Sequence, residues 1–211
     1  MAINTSKRFV YRIIHRDNLL DLLTHGLVNR MHENATKDFV IIGDTDVIDW
    51  RIIEPVKIRG YGSIGDYIPF YFTPRSIMLF NIITGFRHPK VLKRNKDEII
   101  VIRCLIKELA RRPQWFFTDG QALTSKHYNN LVYLDQIDWE SIQASVFNKT
   151  RNDPDRQRRY QAEFLVFETV PIECIESLTV YDEAMRSWVE SLVKSKNLSI
   201  AVHIHKSYFF D

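Results

Sequence analysis

Apolar positions along this chain change their spacing repeatedly, and the changes mark out short strands and helices. Arg8 to Ile14 reads as a first strand. His15-Arg16-Asp17-Asn18 then offers a polar helix start, Leu19, Leu22 and Leu23 follow at helical spacing, and Gly26 supplies a C-cap. Residues 29–65 carry mixed signals and glycine-containing turns, which predicts a long loop with short helical pieces. Tyr67 to Phe72 reads as a strand that ends at Thr73-Pro74, and a helix is predicted from Arg75 to Thr84, closed by Gly85. Glu98 to Ile106 holds the β-branched run Ile99-Ile100-Val101-Ile102, the pattern of a buried strand. A short helix from Lys107 to Arg111, a strand from Trp115 to Thr118, and then mostly loop and short helix from Asp119 to Thr150 follow. Further strands are predicted at Glu163–Thr169, Leu178–Tyr181 and Ser199–Ile204. Glu183 to Lys194 reads as an amphipathic helix with Met185, Trp188, Val189 and Leu192 on one face.

Strands and helices mix without a regular βαβ period, so the pattern predicts an α+β fold. No repeat, low-complexity tract or Pro/Gly/Ser linker interrupts it, and residues 1–211 are expected to form one domain with a sizeable core. A composition of 45% hydrophobic and 26% charged residues argues against long disorder. No apolar run approaches the roughly 20 residues of a membrane span. The N-terminus, Met1 to Arg8, lacks the apolar core of a signal peptide, so a cytoplasmic protein is expected. Cys104 and Cys174 lie in apolar, strand-like runs and are expected to be buried thiols, since neither has the spacing of a zinc or redox site.

The net charge of +3 says little, but its distribution says more. Arg87, His88, Lys90, Lys93, Arg94 and Lys96 form one basic stretch, and Lys149, Arg151, Arg156, Arg158 and Arg159 form a second, with acidic residues such as Asp182 and Glu183 elsewhere. Such segments neutralise phosphates if the fold unites them, or else are solvated loops. There is no Gly-rich phosphate loop, Walker lysine or His-Glu-x-x-His pair, the histidines are dispersed, and no metal is expected.

Three segments stand out. Asp66 to Ser76 places Tyr67, Phe70, Tyr71 and Phe72 in one strand with Pro69 inside it, which implies an edge or an irregularity. Those aromatics either pack in the core or stack on a nicotinamide, an adenine or a DNA base. Glu163 opens an apolar strand directly after a cationic stretch; uncompensated burial is expensive, so it needs a partner or a role, a surface salt bridge being the plainer alternative. Arg51, between Trp50 and Ile52-Ile53, is a lone arginine in an apolar setting suited to a phosphate or a carboxylate.

At these residues the chain resembles the DarT family. Tyr11-Arg12-Ile13-Ile14-His15-Arg16-Asp17-Asn18-Leu19, followed by Gly26-Leu27, is similar to that family's opening motif, and Asp66 to Leu79 is similar to its central signature. Phe117-Thr118-Asp119, Leu134 to Trp139 and Arg159 to Val166 also match, in order, from about residue 9 to the C-terminus. The resemblance implies an ADP-ribosyltransferase fold, a split and mostly antiparallel sheet with peripheral helices that grips NAD⁺. It implies a toxin that moves ADP-ribose from NAD⁺ onto a base, in most members thymidine, of single-stranded DNA in a short sequence context, releasing nicotinamide. It further implies an antitoxin partner, DarG, whose macrodomain removes the modification.

By position, the resemblance assigns the catalytic roles to Arg51 and Glu163. It assigns cofactor contact to Arg12, Ile13 and Ile14 on the first strand and to Asp21, Asn29, Arg51 and Tyr71. Residues 29–53 are similar to the family's NAD⁺-gripping element and residues 118–163 to its substrate-recognition loop, with DNA contact expected at Arg75, Gln121, Arg156, Arg158 and Arg159. Many members carry a histidine where this chain has Gln121, a departure that bears on base identity or sequence context. Transfer to RNA or protein on the same fold, or a non-catalytic nucleic-acid-binding module, are the alternatives.

Overall fold

A computed structural model describes residues 7–211; the absence of a signal peptide and the first residues of the expected 1–211 domain fall on residues 1–6, outside the described part. The strands are β1 (Phe9–His15), β2 (Leu27–Val28), β3 (Tyr67–Tyr71), β4 (Ile99–Leu105), β5 (Trp115–Thr118), β6 (His127–Tyr128), β7 (Glu163–Phe167), β8 (Thr169–Val170), β9 (Ile175–Val180) and β10 (Ala201–Ile204). The helices are α1 (Leu19–His25), α2 (Thr45–Ile53), α3 (Ile77–Thr84), α4 (Ile106–Leu109), α5 (Trp139–Ala144), α6 (Arg156–Tyr160) and α7 (Glu183–Ser195). Eight strands form one sheet in the order β10-β9-β4-β1-β3-β7-β5-β6, and β2 pairs with β8 beside it. Every neighbouring pair in the large sheet is antiparallel except β10 with β9.

The sheet is split between β1 and β3. Strand β1 pairs with β4 along its whole length, from Phe9↔Leu105 to His15↔Ile99, but meets β3 only at Tyr11↔Tyr71. Beyond that point the edge of β1 at residues 12–15 has no strand beside it among the described residues. Pro69 faces the same opening. It pairs in register with Leu165 of β7, while its carbonyl accepts a hydrogen bond from the Arg12 guanidinium at 3.0 Å. The N and C=O of one strand residue point to the same side, so the missing N–H of proline falls where no ladder exists to be broken. The irregularity that proline signals is therefore this split, inside the sheet rather than at its edge.

Period-two alternation sends the two faces of the strands into different cores. Ile14, Ile100, Ile102, Phe70, Phe164 and Val166 pack with Leu19, Leu22 and Leu23 of α1 and with Met185, Val189 and Val193 of α7. On the other face, Ile13, Ile99 and Val101 meet Leu79, Ile82 and Ile83 of α3. Ser76 caps α3 by accepting the Leu79 N–H at 3.2 Å, and Gly85 closes it at a left-handed φ of 74°.

Several expectations need correction. Of the short helical pieces expected within residues 29–65, one is the nine-residue α2 over 45–53; Asp44 caps it, and because no side chain of α2 is buried, no apolar period marked its position. On α7, Trp188 is 40% exposed and Val193 takes the core position instead. Cys104 is buried, but Cys174 is half-buried and lies in a 3₁₀ turn before β9. Among the described residues no helix is long and apolar enough to cross a membrane.

Candidate active site

Glu163 is the first residue of β7, where the sheet register places it between Tyr71 of β3 and Thr118 of β5. The Thr118 hydroxyl accepts the Glu163 N–H at 3.1 Å and donates to the Gly120 carbonyl at 2.6 Å. The carboxylate is 1% exposed. Desolvation of that kind demands a partner, and the partner is Arg51: its Nη2 donates to both carboxylate oxygens, at 2.7 and 2.6 Å, and the Ala122 N–H donates to Oε1 at 3.2 Å.

Arg51 arrives from α2, whose apolar flank is not core. Trp50, Ile52 and Ile53 are 59%, 37% and 79% exposed, so the apolar neighbourhood expected around Arg51 is a solvent-facing surface. The helix is brought against the sheet by Gly65, whose Cα leaves room for Ile52 and the Arg51 carbonyl where a Cβ would meet them at 2.7 and 3.0 Å. Burial alone would depress the Arg51 guanidinium; the charge of Glu163, with support from Tyr71 and the ion-pair hydrogen bonds, outweighs it and holds the pKa above its ordinary value. Arg12 is pulled down to about 10 by burial, against Tyr71 and with Arg51 adding to the effect. Burial, then the negative charge of Glu163, pushes the Tyr71 phenol up to about 12.

These groups wall a cleft of about 410 Å³, the size class of small-molecule sites. Arg12, Ile13, Ile14, Asp21, Asn29, Arg51, Tyr71, Gln121 and Glu163, all expected from the sequence to belong to the site, line it together. So do Arg30 and Lys37, which sequence reasoning did not single out, and Arg87, which it named as part of the first basic stretch. Among the described residues, the buried Nε–H groups of Arg12 and Arg51 have no hydrogen-bond acceptor. Buried unpaired donors, with cations and isoleucines in the same lining, suit an anionic, amphiphilic dinucleotide. Asn29 is committed to structure: its side chain accepts the Met31 N–H at 2.9 Å and donates to the Gly65 carbonyl at 2.6 Å. Gln121 also lines the cleft; its side-chain oxygen accepts the Leu123 N–H at 3.0 Å, and its NH₂ has no partner among the described residues.

The remaining expected residues lie outside the cleft wall. Arg75 stacks over the Phe210 ring at 4.2 Å and donates to the Ser207 carbonyl, anchoring the C-terminal segment. Three members of the second basic stretch, Arg156, Arg158 and Arg159, are not free cations. Arg156 pairs with Asp153 at 3.0 Å, Arg158 with Asp155 at 2.8 Å, and Arg159 with Asp138 and Asp153 at 3.0 and 2.9 Å. The acidic residues that compensate them are interleaved in the same segment, which a tally of the basic residues passed over. Thr118, Ala122 and Gly65 were also missed as individuals; the Phe117-Thr118-Asp119 motif held the signal for the first, while the other two act through backbone and leave none. Among the described residues no group of histidine, cysteine, aspartate and glutamate could hold a metal ion.

Comparison with known proteins agrees with this geometry. A family model described as "ssDNA thymidine ADP-ribosyltransferase, DarT" matches residues 11–210. A DNA ADP-ribosyl transferase of Escherichia coli O127:H6 is 34% identical over 99% of this chain and 96% of its own length. A solved structure of Thermus sp. 2.9 DarT in complex with ADP-ribosylated ssDNA superposes with a TM-score of 0.86 at 27% identity, covering 97% of both chains, and one in complex with NAD⁺ superposes at 0.80, covering 96% of this chain and 97% of that one. A Thermosipho africanus fusion of a DNA ADP-ribosyl transferase with a DNA ADP-ribosyl glycohydrolase is 23% identical over 92% of this chain and 47% of its own length. A match over nearly the whole chain, at the level of sequence and of fold alike, leads to one statement: this chain belongs to the DarT family of single-stranded DNA thymidine ADP-ribosyltransferases.

Proposed function

We propose that the chain, as one domain over residues 1–211, transfers ADP-ribose from NAD⁺ to thymidine in single-stranded DNA, with Glu163 and Arg51 as its catalytic residues. The observation that carries this reading is the convergence of the buried Glu163 carboxylate and the Arg51 guanidinium on one cleft of dinucleotide size. In the reaction the ribose C1′–nicotinamide bond breaks, the thymine N3 forms a new bond to C1′, the N3 proton leaves to solvent, and nicotinamide is released.

Breaking the nicotinamide bond builds positive charge on the ribose, as in glycoside hydrolysis. A fixed carboxylate beside that ring stabilises the charge and orients a ribose hydroxyl, and such preorganised electrostatics is commonly the largest catalytic effect. Glu163 is placed for this by the Ala122 N–H and Thr118, independently of Arg51. Arg51, held protonated by Glu163, is a poor base; its charge instead stabilises the anionic thymine as N3 loses its proton, and steadies the pyrophosphate. The open edge of β1 at Arg12, Ile13 and Ile14 offers backbone donors and acceptors to the nicotinamide amide. A base in a single strand needs no extrusion from a duplex. The Gln121 NH₂ is a donor suited to a thymine carbonyl, and Tyr71 closes the site.

The chain acts as the toxin of a pair whose DarG-type partner removes the mark, in the cytoplasm, where DNA and NAD⁺ occur together. The test is to incubate it with NAD⁺ and a thymidine-containing oligonucleotide and to look for an ADP-ribose mass increment. Wild type acquires it, and Glu163→Gln and Arg51→Ala lose it while remaining folded. Modification of RNA or protein with none on DNA would refute the acceptor assignment.

A further inference from the structure

We propose that His127 is a positioning residue for this transfer: its ring, bridging the backbone of Lys57 and of Ala122, fixes the Ala122 N–H that donates to Glu163. The inference rests on the ADP-ribosyl transfer reading. His127 Nδ1 accepts the Lys57 N–H at 3.0 Å, and Nε2 lies 2.9 Å from the Ala122 carbonyl. A peptide N–H can only donate and a carbonyl can only accept, so the two contacts together require one protonation state, a neutral ring with its hydrogen on Nε2. Burial favours that state by holding the imidazole below its ordinary pKa.

The bridge joins the two segments that carry the catalytic pair's supports, which also pack through Val56 and Ala122. Lys57 follows α2, the helix that carries Arg51; Ala122 lies on the loop between β5 and β6, beside Gln121. A second strut runs in parallel, from Lys57 Nζ to the Ser125 carbonyl at 2.9 Å. The ring itself is immobilised. It stacks on Phe116 with centroids 4.9 Å apart, and register places His127 opposite Thr118, whose hydroxyl holds the Glu163 N–H. His127, Thr118, Glu163 and Tyr71 thus form one line across the sheet. His127 does not line the cleft, so its influence on chemistry passes through Ala122 and not through contact with NAD⁺.

Displacing a catalytic group by about 1 Å costs on the order of 10²-fold in rate. His127→Phe keeps the stack on Phe116 and removes both hydrogen bonds; kcat should fall roughly 10- to 100-fold, with KM for NAD⁺ within about twofold of wild type. His127→Gln, whose amide NH₂ reaches the Nε2 position and donates to the Ala122 carbonyl, restores most of kcat; His127→Asn, whose shorter amide reaches only the Nδ1 position beside Lys57, does not. A phenylalanine variant within about threefold of wild type, or a glutamine variant as impaired as the phenylalanine one, overturns the inference. Wild type that transfers nothing to DNA refutes the reaction itself, a separate outcome. Should His127→Phe not fold, nitrogen NMR of the wild-type imidazole decides: hydrogen on Nε2 alone supports the bridge, and hydrogen on Nδ1 excludes it.

Discussion

Arg51 Nη2 reaches both oxygens of Glu163, at 2.7 and 2.6 Å, from 112 residues earlier in the chain. The pair is asymmetric: the carboxylate is 1% exposed and the guanidinium 13%. Losing Arg51 therefore strands a buried charge on the Ala122 N–H, whereas losing the charge of Glu163 leaves the guanidinium near water. Removing one partner of a buried pair costs about 3–5 kcal/mol, and at this chain length each kcal/mol moves Tm by about 2–4 °C. Together these span about 6–20 °C, and Arg51→Ala should lower Tm by the lower part of that, roughly 6–10 °C, because the cleft admits solvent. Arg51→Ala with Glu163→Gln should recover most of the loss. A double variant whose Tm falls by the sum of the two single shifts would show that the residues are not coupled in this way.

The same pair shows how far the sequence could be read. Glu163 announced itself, because a carboxylate at the head of Phe164-Leu165-Val166 has to be satisfied somewhere. Pro69 announced an irregularity, which is the split in the sheet, and the helix expected from Arg75 to Thr84 with Gly85 closing it matches α3 to within two residues. Arg51 was picked out for the wrong local reason, since its apolar neighbours face solvent and its partner is fixed by tertiary register. What stayed illegible is carried by the backbone: the Ala122 N–H, the unpaired edge of β1, and the close approach at Gly65 have no side-chain signature. The charge pattern misled for a related reason. Asp153 and Asp155 alternate with the arginines, and only helix geometry shows that they neutralise them.

Gly65 gives a test of how finely α2 must be placed. A Cβ there would lie 2.7 Å from the Ile52 Cα, and backbone cannot give way as a flexible side-chain end can. Gly65→Ala should push α2, and Arg51 with it, away from Glu163. Transfer should drop by on the order of 10²-fold, with a modest change in Tm, since no α2 side chain is buried. Undiminished transfer would mean that the Arg51–Glu163 distance is not critical.

Acid should weaken the site through His127. Burial, joined by the charge of Lys57, lowers its pKa from the ordinary 6.5 against the pull of the Ala122 carbonyl, Glu163 and Glu54. Between 6.5 and the lower folded value the unfolded chain holds a proton that the folded chain does not, so this stability is complete above 6.5 and declines as pH falls. Protonation also sets an N–H of Nδ1 against that of Lys57. Tm and kcat should both decline on the acid side in wild type, and the decline should be shallower in His127→Gln. Equal slopes in the two proteins would assign it to another group.

The paired arginines change what a salt titration should reveal. Each phosphate contact to a single strand contributes about −0.7 to the slope of log K against log salt. Arg158 and Arg159 already hold Asp155, Asp138 and Asp153, and Asp138 also caps α5 by accepting the Ser141 N–H at 3.1 Å. Lys126, Lys149 and Arg151 are exposed and have no carboxylate partner among the described residues. Lys149→Ala with Arg151→Ala should flatten the slope by about 1.4 and leave the loop ordered. Arg158→Ala with Arg159→Ala should leave the slope nearly unchanged, because each lost cation also frees an aspartate that repels the strand, yet it should impair transfer by loosening the segment that leads into Glu163. If the second pair flattens the slope as much as the first, those guanidinium groups exchange their aspartates for phosphates when DNA binds, and the ion pairs are a resting arrangement rather than the working one.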